Sequence, residues 1–345
     1  MQTSLKSGSV LPFPILIADV GGTNARFAII KDAFAEPLRF DNVKAADFDD
    51  FDTAIQDHIL DHTALMPKSA VLAVAGPIDG DEIDLTNNHW VIHPTQLIEK
   101  FGIEHVVVLN DYEAQALAVV ALGDDDLHAI GNGVQDTGAH RVVVGPGTGL
   151  GVAGLVHAAH TWIPVAGEGG HVDLGPQTAR DAEVFPYLER IGGRVSGEQI
   201  LCGRGMVNLY NAVAKASSAT KQVKTPEEVT ALAISGDDPV ATETIALFSE
   251  YLGRVAGDLA LVFMARGGIY LSGGITQKIR DVFDEARFRA AFENKAPHTE
   301  IMRDIPTYSI VRDDAPMQGL AAYARTPQRF GVALDGRYWT AEGID

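Results

Sequence analysis

The chain has 345 residues, of which 46% are hydrophobic and 21% are charged, the profile of a soluble α/β protein with two domains. The formal net charge of −19 argues against a nucleic-acid or anionic-membrane partner, because the summed field repels phosphate. The single cysteine, Cys202, excludes a disulfide framework and a multi-cysteine zinc site and fits a cytoplasmic protein. We expect no secretory signal in residues 1–13 and no membrane-spanning stretch.

The predicted elements begin with a strand, a glycine turn and a second strand. Residues 15–20 and 26–30 are apolar runs, and the Gly-Gly-Thr-Asn sequence at residues 21–24 separates them. Glycine permits backbone angles in such a turn that other residues disfavour. A helix is then expected from near Asp47 to Ile59, because apolar residues recur there at helical spacing.

Two further strands and a helix complete the first half. Residues 70–75 predict a strand that runs into a Gly-Pro turn, and residues 105–109 predict a buried strand that ends at Asn110. Strong helix formers predict a helix over residues 113–122. The polar, glycine-dotted residues 123–140 predict a connection to the second half.

The second half repeats the opening pattern and then becomes mostly helical. Residues 141–144 and 150–156 predict strands on either side of a glycine turn at residues 145–149, which suggests a duplicated architecture. A capped helix is expected from residue 238 to about residue 265, followed by a strand over residues 269–271. Strands alternating with helices predict a largely parallel sheet covered by helices, with hairpins at its edge.

Three glycine-rich turns are candidates for binding phosphate, at residues 19–24, 145–149 and 272–274. Successive backbone N–H groups in such turns form concavities that hold anions, and Asp19 can hold magnesium, usually through water. A single glycine turn is more often a plain hairpin, and none of the three has the lysine of the Walker pattern. Three such turns in one chain favour the phosphate interpretation.

Asn110 and Asp111 follow a predicted strand and precede a helix, where open α/β sheets bind ligands. The position of Asp111 allows two interpretations, a helix cap or a base for an attacking hydroxyl. From position alone, the cap is at least as well supported. Phosphoryl transfer through a loose transition state requires mainly positioning, so one aligned carboxylate suffices.

Glu168, His171 and Glu198 are candidate ligands for sugar hydroxyls, since planar acceptors bind them well. Two of these residues have an ordinary alternative. Glu198 alone is better explained as part of a capping box with Ser196, and His171 alone as a structural histidine.

Taken together, ordered segments of the chain resemble the bacterial glucokinase family of the actin-like, sugar kinase and chaperone ATPase superfamily. The resemblance extends from about residue 15 to about residue 319. The segments are residues 19–26, 75–78, 85–87, 110–111, 147–152, 167–173, 207–210 and 272–275.

The resemblance implies an α/β, two-domain actin-like (ribonuclease H-like) sugar kinase fold with an inter-domain cleft. The smaller domain is expected to contain residues 12–121 and a C-terminal helical segment at about 312–345, and the larger domain residues 122–311. The implied activity is the ATP-dependent phosphorylation of glucose to glucose 6-phosphate, a step of glycolysis. ATP and Mg²⁺ are the implied cofactors, and a cytoplasmic homodimer without nucleic-acid or membrane partners is expected.

The resemblance also implies roles for single residues. Asp111 is the expected general base, and Asn110 and Asp111 are expected to bind the sugar 3-, 4- and 6-hydroxyls. Glu168, His171 and Glu198 are expected near the 1- and 2-hydroxyls, and Asp19 at the metal. The residues expected to bind the nucleotide are Ala18, Asp19, Val20, Gly21, Gly22, Thr23, Gly147, Thr148, Gly149, Gly273 and Gly274.

Two departures and two alternatives accompany this interpretation. Ala18 stands where the family often has glycine, and the lone Cys202 disfavours the related kinases that carry a cysteine-rich zinc motif. One alternative is a kinase for another hexose, because hexoses share most of their hydroxyl contacts. The other is a non-catalytic actin-like ATP-binding protein, since a fold does not determine a function. The sequence assigns no role to the tail from Phe330 to the C-terminus.

Overall fold

The computed structural model describes residues 10–343, so most of residues 1–13, where no secretory signal is expected, lies outside the described residues. The first compact unit contains the described residues up to Leu122, His157–Ala166, and the residues from Asp314 onward. The second unit contains Gly123–Val156 and Gly167–Asp313. In the described part of the chain, no helix combines the length and apolar character needed to span a membrane.

Short strands and helices alternate along most of the chain. The strands are β1 (Ile15–Val20), β2 (Asn24–Ile30), β3 (Leu38–Arg39), β4 (Val43–Lys44), β5 (Ser69–Val74), β6 (Ile83–Asp84), β7 (Val91–Ile92), β8 (His105–Asn110), β9 (Leu127–Ile130), β10 (Arg141–Pro146), β11 (Leu150–Ala158), β12 (Thr161–Gly167), β13 (Ile269–Leu271), β14 (Thr307–Ile310) and β15 (Tyr338–Thr340). The α-helices are α1 (Phe51–Ala54), α2 (Pro94–Phe101), α3 (Asp111–Ala118), α4 (Ala179–Val184), α5 (Gly203–Ala216), α6 (Pro226–Ser235), α7 (Pro239–Phe263), α8 (Gly274–Lys278), α9 (Glu285–Glu293), α10 (Thr299–Asp304) and α11 (Ala315–Arg325).

The sheet of the first unit has the strand order β15-β8-β5-β1-β2-β3, and β4 also pairs with β2. Strands β1, β5 and β8 run parallel, and all but the end residues of β8 are buried, as expected for apolar runs in a covered parallel sheet. The register aligns Val20, Val74 and Asn110 in one row. The sheet therefore carries Asp19 and Asp111 to the same edge, at the carboxyl ends of its central strands.

Helix α11 packs closely on α3 in the same unit. Gly319 permits this approach, because a Cβ there would lie 2.1 Å from the carbonyl oxygen of Ala114. A larger side chain at this position would push α11 away from the helix that begins at Asp111. The close packing of α11 on α3 thus holds the start of α3 in place.

The second unit repeats the arrangement of a hairpin beside parallel strands. Strand β10 pairs antiparallel with β11 and parallel with β13, and β13 pairs parallel with β14. Within this unit the strand order is β11-β10-β13-β14-β9. The two predicted strand, turn and strand segments are therefore both confirmed.

Long helices pack beside this second sheet. Helix α7 begins where the Asp238 side chain accepts hydrogen bonds from the backbone N–H groups of Val240 and Ala241, at 2.9 and 3.0 Å. It packs extensively on α9, and a Cβ at Gly253 would lie only 2.2 Å from the carbonyl oxygen of Phe288. The predicted cap and helix of this region are confirmed, with the α-helix ending at Phe263.

Several predicted elements differ from the structure. The helix expected from Asp47 begins at Phe51, because Asp50 caps it by accepting a hydrogen bond from Thr53, and it continues over Ile55–Ile59 as a π-helix. The helix expected over residues 113–122 begins earlier, at Asp111, and ends at Ala118.

Several strands were not predicted from the sequence, and two of them lie in segments for which another structure was expected. The expected connection over residues 123–140 contains β9, which pairs antiparallel with β14. The segment at about residues 312–345, expected to be helical, contains α11 and then β15, which pairs antiparallel with β8. Both pairings join residues far apart in the chain, so local periodicity does not reveal them.

Candidate active site

Asp19 lies near the end of β1, where the hairpin register places it opposite Arg26 on β2. Arg26 Nη1 donates a hydrogen bond to Asp19 Oδ2 at 3.0 Å. Burial raises the pKa of the Asp19 carboxyl, and the charge of Arg26 opposes that rise. The hairpin thus holds a buried carboxylate beside a cation, directly before the first glycine turn.

The turn after β1 packs tightly against the segment that follows β6. Asn88 Nδ2 donates to the carbonyl oxygen of Gly21 at 2.9 Å. A Cβ at Gly22 would lie 3.0 Å from the carbonyl oxygen of Thr86. Thr23 is exposed at the tip of the turn. These contacts fix the shape of the turn and leave its tip open to a ligand.

Asn110, not Asp111, is the N-cap residue of α3. Asn110 Oδ1 accepts a hydrogen bond from the backbone N–H of Tyr112 at 3.0 Å, and Glu113 Oε2 accepts one from the N–H of Asn110 at 2.9 Å. Asp111 Oδ1 also accepts from Tyr112, at 2.9 Å. Because Asn110 and Glu113 already form a capping box, the helix start does not require the Asp111 carboxylate.

Burial raises the pKa of the Asp111 carboxyl to about 6, although the hydrogen bond from the Tyr112 backbone lowers it. The negative charge of Asp19 is a smaller contribution to this rise in pKa. The structure therefore brings the two aspartates within electrostatic reach of each other. A carboxylate with this pKa is ionised at neutral pH and remains basic enough to accept a proton.

In the second unit, the second glycine turn contacts Glu198. Leu150 N–H donates to Glu198 Oε2 at 3.0 Å, and a Cβ at Gly149 would lie 2.6 Å from the same oxygen. Glu198 N–H donates in turn to the carbonyl oxygen of Gly170 at 2.8 Å. Three segments that are distant in sequence therefore meet at this residue.

His171 lies between two carboxylates. Its Nε2 is 3.6 Å from Glu168 Oε2 and 3.9 Å from Glu198 Oε1. The capping-box alternative for Glu198 is wrong, because Gln199 Oε1 accepts the hydrogen bond from the Ser196 N–H instead. The structure thus places all three predicted side chains of this unit in one polar cluster.

The third glycine turn packs against the second. Gly273 has φ +87°, and a Cβ there would lie 2.3 Å from the carbonyl oxygen of Pro146. Thr276 Oγ1 donates to the carbonyl oxygens of Ser272 and Gly273, both at 2.7 Å. Only glycine fits this backbone and this approach, so Gly273 allows the start of α8 to pack directly on the end of β10.

The model of the glucokinase family matches residues 16–327. The chain belongs to the glucokinase family. It is 61% identical over 339 residues to the glucokinase of Chelativorans sp. strain BNC1, with 98% of this chain and 99% of that protein covered. It is 59% identical to the glucokinase of Rhizobium etli strain CFN 42, with the same coverage. The crystal structure of a glucokinase from an Antarctic psychrotroph is 33% identical and has a TM-score of 0.83, covering 91% of this chain and all of that one.

Membership in the glucokinase family confirms the predicted resemblance and the two-domain actin-like α/β fold. The chain is an enzyme, a kinase, so the alternative of a non-catalytic ATP-binding protein is wrong. Within residues 10–343 of this family member, no three histidine, cysteine, aspartate or glutamate side chains are grouped to hold a metal ion. Magnesium suits a site with fewer protein ligands, because it keeps several of its waters and usually arrives with nucleotide phosphates.

Some residues that support the predicted site were not singled out by the sequence pattern. Arg26 pairs with Asp19. The register of the predicted hairpin was the signal in the sequence that places these two residues opposite each other. Glu113 completes the capping box of α3, and its spacing of three residues from Asn110 was readable. The contact from Asn88 to the first turn had no local signal.

Proposed function

We propose that Asp111 is the general base in the phosphorylation of glucose by this chain, which transfers phosphate from ATP to the sugar 6-hydroxyl. The activity follows from the family, whose members at 56–61% identity are glucokinases over nearly their whole length. The observation that carries the assignment of the base is the partly buried Asp111 carboxylate, with its pKa raised to about 6, in a first turn already capped by other residues.

The transfer makes one bond and breaks another while one proton moves. As the 6-oxygen attacks the γ-phosphorus, the bond from phosphorus to the ADP oxygen breaks, and Asp111 takes the hydroxyl proton. In a loose transition state the hydroxyl loses its proton late, so a base of moderate strength is adequate. Asp111 is largely ionised at neutral pH and therefore ready for this step.

The remaining residues have roles that suit their surroundings. Asn110 and Asp111 bind the 3-, 4- and 6-hydroxyls of the sugar, and Glu168, His171 and Glu198 bind near the 1- and 2-hydroxyls. The polar cluster around His171, with carboxylates at 3.6 and 3.9 Å, supports the second set. Carboxylates accept hydrogen bonds from hydroxyl groups, and an imidazole can accept or donate them.

The glycine turns supply the nucleotide site. We assign the phosphates to residues 18–23 and 147–149 and the adenosine to Gly273 and Gly274. Magnesium enters as MgATP, the substrate, and Asp19 suits it because its carboxylate stands at the end of a strand beside exposed turn residues. When bound, the ion would offset the negative charge of the phosphates.

The test is the substitution Asp111→Asn in an assay of ADP release. Asparagine caps a helix as well as aspartate does but cannot accept the proton. We expect kcat to fall about 10²- to 10⁴-fold, the usual contribution of a general base. The matched control is Asp50→Asn, which changes an aspartate that caps α1. Equal turnover of the two variants would refute the assignment.

The choice of hexose is tested with a panel of sugars. We expect the highest kcat/KM for glucose over mannose, fructose and glucosamine. A clearly higher value for one of the others would contradict the proposed substrate. The measurement is independent of the Asp111 variant, because it uses the unmodified enzyme.

Assembly and location complete the proposal. We propose a cytoplasmic homodimer without nucleic-acid or membrane partners, which the net charge of −19 and the family support. Analytical ultracentrifugation is expected to give twice the mass of one chain. A single species at the mass of one chain would contradict the dimer.

A further inference from the structure

The C-terminal tail, to which the sequence assigns no role, pairs with the strand that delivers the proposed base. Strand β15 lies antiparallel on β8, with Tyr338 opposite Val107. The residue before β15, Arg337, extends this contact, because its carbonyl oxygen accepts a hydrogen bond from the Val108 N–H at 3.0 Å. The backbone of Arg337 is therefore fixed two residues from Asn110 along β8.

The side chain of Arg337 reaches the first turn of α3. Its Nη1 donates to Glu113 Oε2 at 2.5 Å. The Glu113 side chain is 4% exposed and that of Arg337 is 22% exposed. The same Glu113 oxygen accepts the hydrogen bond from the Asn110 N–H at 2.9 Å. One carboxylate oxygen thus connects the tail to the turn that carries Asn110 and Asp111.

A capping box alone does not account for this arrangement. Capping-box glutamates commonly lie at the surface, where water solvates the charge, whereas Glu113 is buried. A buried carboxylate requires a paired cation, and loss of the cation leaves an uncompensated charge. Arg337 supplies that cation from a position 224 residues away in the chain.

We propose that Arg337 and Glu113 are positioning residues for the sugar: Arg337 fixes Glu113, which fixes the Asn110 backbone and with it the Asn110 and Asp111 side chains. The proposal rests on the proposed sugar-binding roles of Asn110 and Asp111. Neither positioning residue touches the sugar or the nucleotide in this scheme. Their loss acts through the orientation of the two residues that do.

This scheme predicts a selective effect on glucose. The glycine turns at residues 147–149 and 273–274 belong to the second unit, and the first turn, at residues 18–23, follows β1 and not β8. None of these turns contacts Arg337 or Glu113 in this scheme, so the KM for MgATP serves as an internal reference. A misplaced first turn of α3 weakens contacts with the hydroxyls and misaligns the base. The KM for glucose therefore rises and kcat falls, whereas the KM for MgATP changes much less.

The experiment compares four variants of the full chain in steady-state kinetics and glucose calorimetry. Arg337→Met removes the charge and keeps much of the side-chain volume, and we expect the KM for glucose to rise about tenfold or more, as for a small misplacement of a reacting group. Arg337→Lys retains the charge and is expected to stay within about threefold of the parent, since a lysine can pair but not in the same fork geometry. The double variant Glu113→Gln with Arg337→Met keeps the hydrogen bond to Asn110 without a buried charge, and its KM is expected to return toward the parent value.

Tyr338→Phe is the matched control, because it removes a different contact of the same tail. The Tyr338 hydroxyl lies 2.7 Å from His105 Nδ1, at the start of β8. We expect this variant to bind glucose normally. An equal rise in glucose KM for Tyr338→Phe and Arg337→Met would show that docking of the tail, rather than the ion pair, matters, and would overturn the proposal.

Two further outcomes decide the matter. If Arg337→Met melts at a lower temperature but its folded fraction keeps the parent glucose KM and kcat, the pair is merely structural and the proposal fails. If Arg337→Met does not fold, the double variant and Arg337→Lys provide the test. A raised glucose KM in the double variant then overturns the proposal. Failure of the base assignment is separate, since it shows as normal turnover in Asp111→Asn.

Discussion

The two glycine hairpins of this enzyme share a backbone plan but differ in the charge they carry. In the first, Asp19 pairs across the hairpin with Arg26; at the corresponding place in the second, Gly145 pairs with Gly151. The second hairpin receives its carboxylate from a distant segment, through Glu198. The first hairpin therefore carries its carboxylate on its own strand, whereas the second hairpin contacts a carboxylate that comes from elsewhere in the chain.

This difference suggests a division of labour between the hairpins. A carboxylate on the strand itself suits a hydrated cation, which tolerates few protein ligands. A turn without charged side chains offers backbone N–H groups to an anion, with no carboxylate of its own to repel it. Substitutions in each hairpin test whether this division holds.

Among substitutions in the two hairpins, the largest effect is expected from Asp19→Asn. The substitution removes the charge that sets the first hairpin apart and leaves Arg26 without its carboxylate partner. Loss of one preorganised electrostatic group typically costs about 10²- to 10³-fold in kcat. We expect a loss of this size, with a higher magnesium requirement, in assays at varied magnesium concentration. Asp32→Asn, on an exposed loop of the same unit, is the control and is expected to behave as the parent.

Gly273→Ala tests the packing behind the second hairpin. The new Cβ would lie 2.3 Å from the Pro146 carbonyl oxygen on a backbone with φ +87°. Strain of this kind costs about 1–3 kcal/mol, so we expect a lower free energy of unfolding in denaturant titrations. Gly274→Ala is the control, because among the described residues no atom beyond its chain neighbours and own helix backbone lies within 4 Å of a Cβ there. Equal stability of the two variants would contradict the packing argument.

The pH profile tests the link between the first hairpin and the base. Burial, and to a smaller extent the charge of Asp19, raise the pKa of Asp111 to about 6. Only the ionised carboxylate accepts a proton, so kcat/KM for glucose is expected to fall as pH decreases through about 6, approaching tenfold per pH unit. Removing the negative charge in Asp19→Asn lowers the pKa, so the acid limb moves to lower pH. A limb that moves to higher pH would contradict the coupling.

The smallest effect is expected from Gly149→Ala. Its Cβ would lie 2.6 Å from Glu198 Oε2, at the flexible end of a side chain that can move away. That movement weakens the hydrogen bond from Leu150 to Glu198, and we expect the KM for glucose to rise about threefold, the effect of a modest hydrogen bond. Gly147→Ala is the control, since the nearest atom there is 3.9 Å away. A larger effect in the control would argue against a role for Glu198 in binding the sugar.

Local signals predicted the hairpins and the central strands, because apolar runs and glycine turns consist of residues that are adjacent in the sequence. The strands β9 and β15 escaped prediction because their partners, β14 and β8, lie far away in the chain. The contact of Tyr338 with His105 forms only when β15 meets β8. Periodicity within a few residues carries no record of such pairings.

The candidate site shows the same limit. Residue types and their order predicted Asp111, but only the geometry of Asn110 and Glu113 shows that another residue caps the helix. Glu113 was readable as a capping residue from its spacing. Its ion pair with Arg337 was not, because no rule of spacing relates residues 224 positions apart.

The short strand β15 also has a consequence for solubility. Strand β8 contributes the buried run Val106, Val107 and Val108, and without β15 its hydrogen-bonding groups would form an open edge of the sheet. Open edges with apolar residues pair with other chains and aggregate. The three residues of β15 cover this edge, and we expect them to limit aggregation through it, so purification tags are better placed where they leave this strand undisturbed.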